Sequence, residues 1–183
     1  ARKEEIASGH YVRMFNNILI EGRIYTIHGV RFQPNTWEIE FRAIAGHYEC
    51  VFARHTRVEL YIPPLQFPLY PKYLMEFHDV KRRPNKTFVD IAGVLVYLGR
   101  VNRTGNGFYR EATLMDTRRN LLVIGVYSNH LTRHVLEWAS TKANNHIIMG
   151  TMLKLDIKYW CLESSDYTKF HFNPMHPATN ELQ

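Results

Sequence analysis

The most constraining feature of the chain is the order of its extended segments between residues 89 and 172. Val89–Leu98 (VDIAGVLVYL) is β-rich and apolar on both faces, as a central strand requires. The polar, glycine-bearing loop GRVNRTGNG, Gly99 to Gly107, leads into FYREATLMD, which alternates. One face of that segment holds Phe108, Arg110, Ala112 and Leu114; the other holds Tyr109, Glu111, Thr113 and Met115. Asp116 to Asn120 reads as a turn and Leu121 to Tyr127 as a third strand. Asn129 then suits a helix N-cap, and Leu131, Val135, Leu136, Trp138 and Ala139 form an apolar stripe that stops at Asn144 and Asn145. Two more strands follow, from Ile147 to about Leu162 and from Tyr167 to Phe172, closed by Asn173 and Pro174. Three strands, one helix and two strands, in this order, predict a five-stranded Greek-key barrel, the OB-fold, over residues 87–177, with a tail at 178–183.

Upstream, Ile6, Tyr11, Met14, Phe15, Ile18 and Leu19 recur at near-helical spacing, and Gly22 predicts the helix end near Glu21. Arg23–Phe32 reads as a strand closed by Pro34 and Asn35, Trp37–Ile44 as a second, and Tyr48–Tyr61 as a third. Pro63, Pro64, Pro68, Pro71 and Pro84 then crowd one stretch, which predicts a stiff, extended linker over residues 63–86 between a first domain (1–62) and the barrel. The linker ends in KRRPNK, which reads as a solvated basic cluster or a nuclear localisation signal. The fold class is thus all-β with short helices: one complete OB-fold and one partial copy.

Composition narrows the function classes. Of 183 residues, 45% are hydrophobic and 13% aromatic, enough to bury a core. The net charge of +6 is dispersed: 13 basic against 9 acidic side chains before residue 87, and 10 against 8 after it. A dispersed surplus suits a polyanion lying in a groove, but it does not define the groove. The longest nearly uninterrupted apolar run, Ile91 to Gly99, is far short of the ~20 residues of a membrane helix. No secretory leader is evident, so a cytosolic or nuclear location is expected. Cys50 and Cys161 form no CxxC pair and are expected as two reduced, buried thiols. His130 and His134 have an i, i+4 spacing, but HLTRH lacks the glutamate of HExxH and no third ligand is indicated, so surface histidines are expected and no metal or other cofactor. No GxSxG, P-loop or paired-carboxylate signature points to catalysis.

VDIAGVLVYLGRV, REATLMDTRRNLLVIGVYSNHL and the terminal FHFNP resemble the second DNA-binding OB domain of the replication protein A large subunit, including its plant replication-factor-like branch. ILIEGRIYTIHGV and HYECVFARHTRVE resemble the end of the first DNA-binding domain of that family, and the prolines fall where the family links the two. The order of these loose motifs, rather than any one of them, carries the resemblance. It implies that the first domain lacks its opening strands in this chain. It also implies binding of single-stranded DNA with little sequence preference, roles in replication, repair or recombination, and other replication protein A subunits or repair proteins as partners.

Within that resemblance, the aromatic late in the third barrel strand is Tyr127, and spacing for a second stacking aromatic lands on Ile157, with Tyr159 or Trp160 two or three residues on. In the partial domain the corresponding residue is Phe41, on the same strand face as Trp37. Arg100, Arg103 and Arg110 are candidate phosphate contacts, with Asn102 and Asn106 beside them in the loop. Each aromatic has a competing place in a core and each arginine a competing place in solvent; Trp138 reads as core. An OB module used for protein interaction and a single-stranded RNA binder are the alternative functions.

Overall fold

A computed structural model of the chain describes residues 5–38, 46–63, 68–105, 107–141 and 146–182. The chain divides into two units, residues 1–67 and 68–183.

In the first unit, β1 (Glu5–Ile6), β4 (Tyr48–Val51) and β3 (Arg31–Pro34) form one small sheet, and β2 (Tyr25–His28) and β5 (Arg57–Leu60) form another. Helix α1 (His10–Ile18) buries Phe15 edge-to-face on Phe52, ring centroids 4.7 Å apart. The Tyr25 hydroxyl fastens the end of that helix, donating to the Ile18 carbonyl at 3.0 Å and accepting from the Ile20 amide at 2.9 Å. The two long strands expected here are each broken in two, at Gly29–Val30 and at residues 52–56. One side chain ties the breaks together: the Thr56 hydroxyl accepts from the Ala53 amide at 2.9 Å and donates to the Gly29 carbonyl at 3.0 Å. The strand expected over 37–44 falls mostly outside the described residues.

The second unit opens with helix α2 (Phe77–Val80), inside the segment expected to be a linker. Phe77 and Val80 are 2% and 1% exposed and belong to the barrel core. Phe77 is admitted by Gly93, where an added Cβ would lie 2.8 Å from the phenyl ring. The Met75 amide donates to the Asp90 carbonyl at 2.7 Å. Proline density therefore misled: Pro71 and Pro84 flank one apolar helical turn that packs as part of the fold. The expected tail is also held, since Thr179 in α5 (Pro177–Asn180) is buried and donates to the Pro174 carbonyl at 2.8 Å.

The remaining strands are β6 (Phe88–Leu98), β7 (Asn102–Thr104), β8 (Gly107–Met115), β9 (Leu121–Tyr127), β10 (Ile147–Asp156), β11 (Cys161–Glu163) and β12 (Lys169–Phe172). They pair in the order β11-β9-β8-β6-β10-β12, and β11 also pairs with β10, which closes the ring. Because β11 and β12 both run antiparallel to β10, they are two halves of one fifth strand, and the closed five-stranded barrel is the OB arrangement. The strand expected to reach Leu162 instead turns at residues 157–160. At Met152 a bulge bends β10 (φ 53°), with its amide donating to Asp90 Oδ1 at 2.8 Å and its carbonyl accepting from the Thr168 hydroxyl at 2.8 Å.

Ile91, Leu114, Ile124, Ile148 and Leu153 fill the barrel. Trp138 closes one end as expected, edge-on to Phe170 and Phe172 at 5.4 and 4.9 Å. The single helix expected after Asn129 is two short ones, α3 (Ser128–Arg133) and α4 (Val135–Ser140), broken at His134. Ser128 is the first helical residue, and its hydroxyl bonds the Phe108 backbone. This break removes the shared imidazole face: His130 is buried, bonded to the Ser165 carbonyl at 2.9 Å, rather than exposed. Both cysteines are buried and neither is in a disulfide.

Candidate nucleic-acid interface

Antiparallel register fixes what β8 and β9 present outward. Tyr109 lies opposite Tyr127, Glu111 opposite Gly125 and Thr113 opposite Val123, while the alternate pairs Ala112–Ile124 and Leu114–Leu122 enter the core. The two tyrosine rings are 5.1 Å apart and tilted by 54°. Gly125 leaves room for the first of them, because a Cβ there would meet the Tyr109 ring at 2.8 Å.

Each tyrosine is oriented by a carboxylate. The Tyr109 hydroxyl donates to Glu111 at 3.3 Å and that of Tyr127 to Glu163 at 3.0 Å. Burial, together with its glutamate, raises the Tyr109 phenol well above the usual value; burial and the Glu163 bond push Tyr127 up to about 12. Both phenols are therefore neutral at pH 7, and both rings are held half-buried. The Tyr127 amide donates to the Ser164 hydroxyl at 2.9 Å, which fixes the end of β9.

The face ends in two loops. At the Tyr109–Tyr127 end is the loop from Gly99, extended by the β7–β8 hairpin, in which Asn102 lies opposite Tyr109. At the other end is the 157–160 turn, since β11 runs parallel to β9 with Leu162 opposite Ile124. Tyr159 and Trp160 are 68% and 57% exposed in this turn, Trp160 has φ 51°, and the Lys158 ammonium lies 5.1 Å from the Tyr159 ring centre. The turn is anchored from below by Lys86, whose ammonium bonds Asp156 at 2.6 Å, and by Asn85, whose side chain accepts from the Ile157 amide at 3.0 Å. Lys86 and Asn85 are the last residues of KRRPNK, so that cluster is partly structural rather than wholly solvated.

Of the residues singled out from sequence, Tyr127 is on this face and Tyr159 and Trp160 are in the turn at its end, together with Ile157. Trp37 is exposed in a bend of the first unit rather than in a strand, and Phe41 and Asn106 lie outside the described residues. The arginines are elsewhere. Arg110 alternates to the side opposite Tyr109 and, with Arg100, lines a cleft beside α3 and α4; Arg103 pairs with Phe108, which shares the cleft side. Tyr109, Glu111, Glu163 and Lys158 were missed, although the Tyr109–Glu111 alternation was visible and needed only the register with β9 to place it. Among the described residues, no group of three His, Cys, Asp or Glu side chains is placed to hold a metal ion.

Residues 75–163 match the model of a family described as a domain of unknown function (DUF8448). No curated protein matches the chain. Among solved structures, the chain is similar to one from a replication protein A heterotrimer bound to single-stranded DNA, with a TM-score of 0.56 at 17% identity over 97% of this chain and 42% of that chain. It thus spans less than half the length of that relative. A murine DNA-binding protein bound to double-stranded DNA is more distant, with a TM-score of 0.44 at 13% identity over 87% of this chain and 73% of that chain. The likeness to the replication protein A chain is one of architecture, mostly strands with few short helices, and the closed five-stranded barrel of the second unit is an OB-fold.

Proposed function

We propose that the β8–β9 face binds single-stranded DNA with little sequence preference, as part of a nuclear protein that works beside other replication protein A-like subunits in replication, repair or recombination. The chain is a binding protein in this reading, without catalysis of its own. One observation carries it: two neutral tyrosines, packed side by side and locked by carboxylates, on the face that OB-folds use for extended strands. The exposed Tyr159 and Trp160 extend the stacking surface. Base–aromatic stacking contributes about 1–3 kcal/mol per base and accepts any base.

Charge plays a minor part. With Arg100 and Arg110 in the cleft and Glu111 and Glu163 on the stacking face, few phosphates are neutralised, so the log–log salt slope should be shallow, about −2 or less in magnitude at ~0.7 per phosphate. Anisotropy titrations with labelled oligo-dT, oligo-U and a duplex of equal length test the reading. Tight binding of oligo-dT with much weaker binding of duplex is expected; equal affinity for duplex rules the proposal out, and preference for oligo-U reassigns the strand to RNA.

A further inference from the structure

We propose that the cleft between the loop from Gly99 and helices α3 and α4 docks a short acidic, amphipathic segment of a partner protein. The cleft is about 620 Å³, within the ~300–1,000 Å³ of ligand clefts, and its walls are largely apolar, with Leu98, Val101, Phe108, Leu131 and Val135 around Trp138. Val101, Phe108 and Val135 are all exposed, an apolar surface with no cover from this unit among the described residues.

Arg110 decides the chemistry of the occupant. Its guanidinium lines the cleft half-buried, donates from Nε to the Gly99 carbonyl at 2.7 Å, and makes no ion pair with a carboxylate of the described residues. Burial without a counter-charge lowers its pKa. A guanidinium has five donors in a planar fork, and a carboxylate from outside would satisfy two of them together. Arg100 shares the cleft and Arg103 lies on the same side of the β7–β8 hairpin as Phe108. A basic rim over an apolar floor selects a segment that alternates bulky apolar and acidic side chains, the helix-in-groove mode of recognition. Phosphates would also meet these arginines, but Phe108 is the one exposed ring among mostly aliphatic walls and Trp138 is buried beneath them, so the cleft offers successive bases no row of stacking rings, which favours a peptide. The cleft lies on the opposite side of β8 from the stacking face, so the inference stands apart from the nucleic-acid reading.

The probe is a fluorescein-labelled amphipathic peptide of about 14 residues with Leu, Phe and Leu at i, i+4 and i+7 among Asp and Glu, titrated against the full 183-residue chain. Saturable binding in the ~10–100 μM range is expected, about tenfold weaker for the matched peptide with Asn and Gln in place of the acids. Arg110→Gln and Val135→Asp should each weaken it about fivefold or more while leaving oligo-dT affinity unchanged. Val135 is exposed, so that variant folds even where Arg110→Gln does not; thermal unfolding checks both. No saturation by ~1 mM peptide, binding by both variants as tight as that of the unsubstituted chain, or displacement of the peptide by oligo-dT overturns the proposal. Loss of oligo-dT affinity in Val135→Asp also overturns it, by placing nucleic acid in the cleft.

Discussion

The two sides of strand β8 carry opposite chemistries. Outward, Tyr109, Glu111 and Thr113 present neutral rings and carboxylates beside Tyr127 and Glu163; on the other side, Phe108 and Arg110 join apolar residues and a second arginine around the cleft. A net charge of +6 suggests a cationic groove, yet the cation of β8 itself, Arg110, stands on the side that does not stack, with Arg100 beside it. Charge and aromaticity therefore point to different partners, one for each face. A diffuse surplus of lysine and arginine says nothing about which face it serves until register assigns every residue a side.

The sharpest test separates the shared core from either face. Trp138→Ala removes the side chain that packs on Phe170 and Phe172 and floors the cleft, and should cost about 3–5 kcal/mol in urea unfolding of the second unit. Both binding activities should fall with it. Replacing Tyr109 and Tyr127 together with Ala should weaken oligo-dT binding by about 2–4 kcal/mol in anisotropy, with peptide affinity unchanged. Tyr127→Phe should retain most of the affinity, because the ring and not the hydroxyl stacks. Parallel loss of peptide and strand binding in the Ala variant would erase the distinction between faces.

Below these comes the anchor of the 157–160 turn. The Lys86 bond holds the Asp156 carboxyl below its ordinary value, and Asp156 holds Lys86 above its own. Asp156 thus contributes stability that is complete above about pH 4 and is lost as pH falls through its folded-state value. Lys86 contributes stability that is complete below about pH 10 and is lost as pH rises through its raised value. Lys86→Met should cost about 1 kcal/mol at neutral pH and flatten the acid limb of a urea-midpoint profile; an unchanged limb would deny the anchor its role. The smallest effect is expected from Glu111→Gln with Glu163→Gln. Relief of phosphate repulsion should tighten oligo-dT about two- to fivefold at low salt, and the gain should vanish at high salt. Weaker binding instead would mean that the carboxylates matter chiefly for locking the rings.

The barrel was legible because its signals are local. Alternation in 107–115 and the apolar run of 88–98 follow from burying one or both faces of a strand, and the stripe through Leu131 and Trp138 from covering a barrel end. Where several signals compete, local reading failed. The prolines around Phe77 outvoted two apolar residues whose value depends on Gly93, distant in the chain; the break at His134 was hidden inside a continuous stripe. Tyr127 was placed by resemblance, but Tyr109 was overlooked, because its partner is defined by pairing across β8 and β9 rather than by spacing along either.

The amino-acid sequence by itself determined the strand order, the OB-fold and the presence of aromatics and basic residues near the loops that flank an OB face. Only the tertiary structure decided which of them share a surface. Side-chain period in a strand is two, so a single residue of register moves Arg110 from the stacking face to the cleft, and that register is set by hydrogen bonds between segments far apart in sequence.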